Sequence, residues 1–163
     1  MKITRLAAPK DKKAAAALMA ASDPWLKLGL RERHCLKTFS APFRETYAAR
    51  TGGELSGFVV ITMCGTFRGY IQVLFVSPGY RGRGLGEELM AFAEKKIFGR
   101  APNVFLCVSS FNKGAQRFYR RLGYQKAGLL KDFLVKGSDE LLLRKTLGPL
   151  RDYSPKKRKY VKN

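Results

Sequence analysis

Three glycines at alternate positions, with two arginines beside them, make the segment Arg81–Gly86 the part of this sequence best suited to bind an anion. The segment follows an apolar run that predicts a strand, and it precedes a pattern that predicts a helix. The first turn of a helix carries unpaired backbone N–H groups and the positive end of the helix dipole. Glycines let the backbone approach a ligand closely. The segment is therefore predicted to cradle a pyrophosphate, although the same glycines could instead serve tight packing at a helix start.

Two familiar phosphate-binding motifs do not fit this segment. No Gly-Lys-Ser/Thr follows the glycines, which excludes a P-loop. The preceding strand is the fourth of the chain, and no acidic residue stands about 20 positions further on, so a dinucleotide fold is disfavoured.

A second chemically suggestive segment runs from Asn112 to Tyr124. Asn112 opens a helical pattern and is typical of a helix N-cap, which uses its side-chain oxygen and leaves its amide N–H free. Tyr119 falls on an apolar stripe with Phe118 and Leu122, so helix geometry alone favours a place in the core.

Taken together, the two segments resemble the signatures of the GNAT superfamily, the acetyltransferases related to the histone and aminoglycoside N-acetyltransferases. The signature Arg/Gln-x-x-Gly-x-Gly/Ala, with a preceding Val-x-Pro, is matched by Val76, Pro78, Arg81, Gly84 and Gly86. The signature Asn-x-x-Ala-x-x-x-Tyr-x-x-x-Gly-Phe/Tyr is matched by Asn112, Ala115, Tyr119, Gly123 and Tyr124. The resemblance covers residues 1–147 and implies one N-acetyltransferase domain, followed by a basic, disordered tail at 148–163.

The resemblance implies direct transfer of the acetyl group of acetyl-CoA, the co-substrate, to a primary amine of a protein N-terminus, a lysine or a small molecule. The pantetheine arm would lie in a gap where the strands Leu74–Val76 and Val104–Val108 splay apart. Tyr119 would protonate the leaving thiolate, and Asn112 would contact the pantetheine. The implied cofactor-binding residues are Leu74, Phe75, Val76, Arg81, Gly82, Arg83, Gly84, Leu85, Gly86, Asn112 and Tyr119.

The general base is the least determined part of the expected site. Cys107 stands where several relatives that acetylate protein N-termini have a glutamate, and it is interpreted as a core residue. The other titratable candidates are Glu32, His34, Glu45 and Glu54. His34 suits base chemistry by its ordinary pKa, although a lone histidine is more often incidental. A site without an obvious base favours an amine of low pKa. Trp25 could either line the acceptor groove or staple helix to sheet.

The elements that must position these residues follow from periodicity. We expect a single α/β GNAT-like domain whose mixed, mostly antiparallel sheet of about seven strands is splayed between the fourth and fifth. Predicted strands are Ile3–Leu6, Thr46–Arg50, Leu55–Cys64, Tyr70–Val76, Val104–Val108, Tyr124–Leu129 and Glu140–Thr146. Predicted helices are Lys10–Ala21 (apolar positions Ala14, Ala17, Leu18 and Ala21), a shorter one within Trp25–Leu36 capped by Ser22 or Asp23, Gly84–Ile97 and Asn112–Leu122.

Charge and composition suggest the partners. The 163 residues contain 32 Lys+Arg against 12 Asp+Glu, a net charge of +20. The segment Arg151–Asn163 holds six basic residues and one acid, so residues 1–150, with 26 basic and 11 acidic residues, keep +15. Such a field attracts polyanions, whether nucleic acid, a ribosome or an acidic protein. It disfavours cationic acceptors such as polyamines.

Other features indicate a soluble cytoplasmic protein without a metal site or a membrane span. The apolar segment after Lys12 and Lys13 is mostly alanine and is interpreted as a helix and not as an export signal. Cys35, Cys64 and Cys107 have no metal-ligand spacing, and the last two are predicted to be core residues.

Two other functions remain open: a degenerate CoA-fold module that binds nucleic acid or a ribosome, and a transferase for a longer acyl group.

Overall fold

The structure, a computed structural model, describes residues 2–151 and 153–155. Its strands are β1 (Ile3–Arg5), β2 (Arg44–Thr51), β3 (Glu54–Thr62), β4 (Tyr70–Val76), β5 (Asn103–Ser109), β6 (Gln125–Val135) and β7 (Ser138–Thr146). Its helices are α1 (Pro9–Ala20), α2 (Glu32–Lys37), α3 (Leu85–Phe98) and α4 (Lys113–Arg121), with a 3-10 turn at Pro78–Tyr80. Within these residues no helix is both long and apolar enough to cross a membrane.

The seven strands form one mixed sheet in the order β1-β2-β3-β4-β5-β7-β6. Every neighbouring pair is antiparallel except β4 and β5, which run parallel because α3 connects them. This arrangement confirms the predicted fold class, including the strand number and the parallel pair at the fourth and fifth strands.

Helices cover both faces of the sheet. On one face, α3 packs Leu89, Ala93 and Ile97 against β3, β4 and β5. These three residues recur at intervals of four, so they lie on one side of the helix. On the other face, α1 and α2 pack against Phe58 and Phe75, whose rings stack at 4.9 Å. Removal of these apolar faces from water stabilises the fold and fixes where the strand ends lie.

The parallel pair β4–β5 is joined over a short distance only. Tyr70 pairs with Phe105 and Ile71 with Leu106, and no further pairing occurs along β4. Directly after this point β4 carries a bulge, since Val60 faces Val73 and Ile61 faces Ile71, which leaves Gln72 without a partner on β3. A bulge bends its strand and increases local twist. The gap between the two strands is thus present where it was predicted, from Leu74 onward.

The region between α1 and α2 differs from its prediction. Residues 21–29 form turns with a cis peptide at Asp23-Pro24, and α2 begins only at Glu32 with Arg31 as its N-cap. The predicted helix capped by Ser22 or Asp23 is therefore wrong. Proline after Asp23 fits a turn as well as it fits a first helical turn, so local sequence does not separate the two.

The first helix is confirmed, but its buried side is not the predicted one. Ala15, Ala16 and Met19 are buried, whereas Ala14 and Ala17 are exposed. A run of alanines has no contrast in hydropathy, so periodicity cannot choose its inner side.

Two cysteine predictions also need correction. Cys64 is exposed, because β3 ends at Thr62 before reaching it, and Cys107 is only half-buried. Cys35, by contrast, is buried between α1, α2 and the sheet.

The segment after β7 contacts the domain. The Tyr153 hydroxyl donates a hydrogen bond of 2.7 Å to the carbonyl of Phe98 at the end of α3. Residues 156–163, which carry the basic cluster, lie outside the described part of the chain. The boundary near residue 147 stays a prediction.

Candidate active site

The glycine segment forms a loop that exposes backbone N–H groups at the start of α3. Gly84 is the N-cap of α3 with φ 81°, and Gly82 has φ 72°, a left-handed conformation that other residues rarely adopt. At Gly86 an added Cβ would lie 3.4 Å from the ring of Phe118, in ordinary van der Waals contact. The N–H of Arg81 is already used, because it donates to the carbonyl of Pro78 at 3.3 Å. The open donors are those of residues 82–86.

This loop bounds a cleft of about 1000 Å³ between the end of β4 and α4, which we name the loop cleft. Side chains of Leu74 and Val76 line one wall. Its charged lining residues are Asp23, Lys27, Arg81, Glu87, Lys113 and Arg121. Four cations against two carboxylates give the cleft a positive field, which suits an elongated polyanion. The Nε of Arg81 also donates to the carbonyl of Val76 at 3.0 Å and so ties the loop to the strand end.

Helix α4 forms the opposite wall and is held to the end of β5. Asn112 caps the helix as predicted, with its Oδ1 accepting a hydrogen bond from Ala115 N at 3.1 Å. Its amide NH₂ has no partner within the described residues and lines the cleft. Gln116 Nε2 donates to the carbonyls of Ser109 and Ser110 at 3.1 and 2.9 Å. These bonds fix the first turns of α4 against the sheet.

Tyr119 lies at the inner end of the loop cleft. Its side chain is 8% exposed, and its ring packs edge-on against Phe118 and Tyr124. Burial raises the pKa of its hydroxyl well above the usual range of tyrosine. The hydroxyl has no hydrogen-bond partner among the described residues, so it is a free donor at neutral pH.

A second cavity of about 400 Å³ opens on the face of the sheet that carries α1 and α2. We name it the hairpin cavity, because the β6–β7 hairpin forms its rim. Four residues, 131–134, bulge out of β6 between the pairs Leu130–Glu140 and Val135–Ser138. This bulge places Phe133 and Leu134 over the cavity with half of each side chain exposed. The other wall is Trp25, which lines the cavity and also packs on Phe75 at 6.1 Å.

The two cavities meet inside the protein. The residues that line both are Leu74, Asn112, Ala115 and Tyr119. A molecule entering along the loop cleft and another entering from the hairpin side would therefore come together beside the Tyr119 hydroxyl. This geometry suits a reaction between two bound substrates, because each has its own entrance.

The floor of the hairpin cavity contains a polar cluster that sequence analysis missed. Ser109 Oγ donates to Glu140 Oε1 at 2.6 Å across the β5–β7 pair. Burial raises the pKa of the Glu140 carboxyl, and the bond from Ser109 partly opposes that rise. Tyr70 and Cys107 also line this cavity, and burial raises the pKa of both groups, so both stay protonated at neutral pH.

Of the base candidates Glu32, His34, Glu45 and Glu54, only His34 lines one of the two cavities. His34 lines the hairpin cavity, with its Nδ1 accepting from Arg31 N at 3.1 Å. Glu45 is bound to Arg100 at 2.6 Å, and this bond holds the pKa of the carboxyl below its usual range. Glu32 and Glu54 line neither cavity, and Glu54 is exposed.

The predicted cofactor-binding residues fall into two groups. Those lining the loop cleft are Leu74, Val76, Arg81, Gly82, Gly84, Gly86, Asn112 and Tyr119. The side chains of Phe75 and Leu85 point into the two hydrophobic cores, and that of Arg83 is exposed outside the cleft. Phe75 and Leu85 therefore have only their backbone groups available for binding.

Comparison with known proteins identifies relatives along almost the whole chain. The family model described as acetyltransferase (GNAT) family matches residues 11–124. The N-alpha-acetyltransferase RimI of Mycobacterium tuberculosis is 30% identical over 150 residues, which is 90% of each chain. The ribosomal-protein-S18-alanine N-acetyltransferase of Escherichia coli superposes with a TM-score of 0.71 at 17% identity, over 94% of this chain and 99% of that one. An aminoglycoside 6'-N-acetyltransferase complexed with coenzyme A superposes equally well, with a TM-score of 0.71 at 20% identity over 91% and 98%.

Proposed function

The chain belongs to the acetyltransferase (GNAT) family, and from that premise we propose that the acceptor of its N-acetyltransferase reaction is the α-amine of a polypeptide N-terminus. The acetyl donor is acetyl-CoA, the co-substrate of the family. The meeting of the two cavities at Tyr119 carries the proposal, because it gives the acceptor an entrance separate from that of acetyl-CoA.

The acceptor follows from the form of the hairpin cavity. Trp25, Phe133 and Leu134 supply apolar surface to its lining, and Ser109 and Glu140 supply polar groups. A terminal amine followed by an apolar side chain fits this combination of surfaces. The similarity to an N-alpha-acetyltransferase over 90% of both chains supports the same class of acceptor.

The acid–base energetics favour an α-amine over a lysine. A lysine amine with a pKa near 10.4 requires about 4.6 kcal/mol for deprotonation at pH 7, whereas an α-amine near 7.7–8.0 requires only about 1–1.4 kcal/mol. The net charge of +20 also repels strongly cationic acceptors.

Acetyl-CoA occupies the loop cleft in this proposal. The N–H groups of residues 82–86 hold its pyrophosphate at the positive end of α3, and the basic residues around the cleft neutralise the remaining charge. The pantetheine arm extends between β4 and β5 beside Leu74 and Val76. The free amide of Asn112 donates a hydrogen bond to this arm.

Transfer proceeds by direct attack within the ternary complex. The amine nitrogen attacks the thioester carbon beside Tyr119, a backbone N–H near Val76 polarises the carbonyl, and the C–S bond breaks. Tyr119 donates a hydrogen bond to the departing thiolate, because its raised pKa keeps the hydroxyl protonated. Cys107 does not form an acyl-enzyme, since burial raises the pKa of its thiol and keeps it protonated. Positioning of the two substrates supplies most of the acceleration.

Matched peptides test the acceptor. One peptide has a free N-terminus with an apolar first residue and no lysine. The other differs from it only in having a blocked N-terminus and one internal lysine. With acetyl-CoA as donor, the proposal expects thiol release and a mass increase of one acetyl group for the first peptide only. Acetylation of the blocked peptide at an equal rate would contradict the α-amine assignment. Use of a longer acyl-CoA at a higher rate would instead revise the donor.

A further inference from the structure

The hairpin cavity contains one carboxylate, Glu140, to which the mechanism above gives no role. Its residue is 2% exposed, yet it lines the cavity floor. Oε1 accepts the hydrogen bond from Ser109, while Oε2 has no partner within the described residues. The four ion pairs in that part of the chain involve other carboxylates, namely Asp11, Glu45, Glu87 and Glu94.

A buried carboxylate without a cation is costly for folding. Burial penalises its charged form, and one serine hydrogen bond offsets only part of that penalty. No basic residue in the described part of the chain forms an ion pair with Glu140. Such a group in a cavity is a candidate for function, because a ligand can supply the missing positive charge.

We propose that Glu140 binds the ammonium group of the acceptor in the hairpin cavity and removes its first proton. The inference rests on the proposed function, since it assigns a residue to the acceptor half of the same reaction. Glu140 would thereby take the role that the sequence left open at Cys107.

The proton balance of the step is complete. Glu140 carboxylate accepts one proton from R–NH₃⁺, which leaves R–NH₂ and a neutral carboxyl group that returns its proton to water. The amine lone pair then attacks the thioester carbon and forms the N–C bond of a tetrahedral adduct. Water takes the second nitrogen proton from this adduct, and the C–S bond breaks as the carbonyl re-forms. The leaving sulfur receives a proton from Tyr119, which water then reprotonates, or from water directly. The products are the amide and free CoA, with one net proton released.

The other titratable groups around Glu140 do not compete as anions. Tyr70 from β4 and Cys107 from β5 stay neutral, and the charge of Glu140 itself contributes to the raised pKa of each. Tyr119 from α4 is also neutral. His34 from α2 lines the same cavity and is the one alternative base. On the hairpin rim, β6 contributes the apolar side chains of Phe133 and Leu134.

The test compares Glu140→Gln with the wild type as a function of pH. The amide keeps the size of the side chain and can still accept from Ser109. With the free-amine peptide and acetyl-CoA, kcat/KM is expected to fall about 100-fold at pH 7, as for loss of a general base. The loss should shrink above about pH 9, where an α-amine with a pKa near 8 is already deprotonated. The Kd of acetyl-CoA should not change, because Glu140 does not line the loop cleft.

Two further variants separate Glu140 from a structural role. Glu88→Gln makes the same change of charge at an exposed position of α3 outside both cavities and should retain wild-type kcat/KM. Ser109→Ala removes the bond that lowers the pKa of Glu140, so it should move the acidic limb of the kcat/KM profile to higher pH. An unchanged limb would mean that Glu140 does not set it and would overturn the proposal.

The remaining outcomes are also decisive. Equal activity of Glu140→Gln and the wild type at pH 7, or a loss of the same size at every pH, would overturn the role of Glu140 and leave the acetyltransferase function intact. If the wild type acetylates no free-amine peptide, the proposed acceptor is wrong, whatever the role of Glu140.

The carboxyl ¹³C resonance that disappears in Glu140→Gln gives an independent measurement of the Glu140 titration. A titration midpoint at or below the ordinary glutamate value of about 4.3 would contradict a base in an apolar cavity.

Discussion

The loop cleft and the hairpin cavity meet at Tyr119, but they are built in different ways. The loop cleft is formed from the continuous backbone loop at residues 81–86, the end of β4 and one side of α4, and its field is positive. The hairpin cavity is assembled from side chains of α1, α2, the turns between them, four strands and α4. Its lining combines apolar side chains, such as Trp25 and Phe133, with polar ones, including the carboxylate of Glu140. One region therefore presents backbone N–H donors beside positive charge, and the other presents side chains from distant parts of the chain.

This difference has a consequence for substitutions. Backbone donors do not depend on the side chain at each position, so the loop cleft is sensitive only where a substitution alters the loop conformation or its charge. The hairpin cavity depends on the individual side chains and on the pairing of distant strands. Changes in the first region should affect acetyl-CoA affinity, and changes in the second should affect the acceptor.

The largest effect is expected from Gly84→Glu. Gly84 has φ 81°, where a residue with a Cβ costs about 1–2 kcal/mol, and the added carboxylate would face the pyrophosphate at the start of α3. The Kd of acetyl-CoA, measured by calorimetric titration at two salt concentrations, should rise about 100-fold or more. Gly128→Glu, which adds the same side chain in β6 where the glycine has open space and no left-handed φ, should bind normally. Normal binding by Gly84→Glu would remove the loop from the cofactor site.

A large effect confined to the chemical step is expected from Tyr119→Phe. Loss of the hydroxyl removes the donor to the departing thiolate, so kcat should fall about 100-fold while the Kd of acetyl-CoA changes less than about twofold. Tyr124→Phe is a suitable control, because its ring touches that of Tyr119 but lines neither cavity. An unchanged kcat in Tyr119→Phe would exclude Tyr119 from the reaction.

The same contrast explains how much could be predicted from the sequence. The loop cleft depends on consecutive residues, Arg81–Gly86, and on one helix start at Asn112, so its location and the capping bond were predicted from local patterns. The pairing of Ser109 with Glu140 joins residues 31 positions apart and depends on the register of β5 and β7. Nothing local to Glu140 distinguishes it from the first residue of an ordinary strand.

Irregular backbone explains why other parts of the hairpin cavity could not be predicted from the sequence. The turns at residues 21–29 and the bulge at residues 131–134 have no hydrophobic period that sequence patterns can detect. These two segments carry Trp25 and Phe133, so the walls of the hairpin cavity could not be placed before the fold was known. The role of Trp25 was left open between groove and staple. In the structure Trp25 lines the hairpin cavity and packs on Phe75, and its contact with an acceptor stays a prediction.

A moderate effect on the acceptor alone is expected from Phe133→Ser. Phe133 is 53% exposed at the rim, so a bound peptide would cover it, and the loss of that contact is estimated at about 1.4 kcal/mol, a tenfold rise in KM for the peptide. The Kd of acetyl-CoA should stay unchanged. Phe43→Ser, at a residue 48% exposed that lines neither cavity, is the matched control. A change in acetyl-CoA affinity without a change in peptide KM would contradict the division between the two regions.

The smallest expected effect is on thermal stability. Glu140→Gln should be more stable than the wild type, although it is less active. Burial raises the pKa of Glu140, so the folded state binds its proton more tightly than the unfolded state does. The stability from this group is fully present below the unfolded value of about 4.3 and is lost as pH rises through the folded pKa. Glu140→Gln is neutral at every pH, so its Tm at pH 7 should exceed that of the wild type by a few degrees, and the difference should vanish near pH 4. Glu88→Gln should not raise Tm, because Glu88 lies in the first turn of α3, where a negative charge is favourable. A lower Tm for Glu140→Gln at pH 7 would mean that the carboxylate is retained for folding, whereas a higher Tm with lower activity would mean that the acceptor cavity keeps a destabilising charge because the reaction requires it.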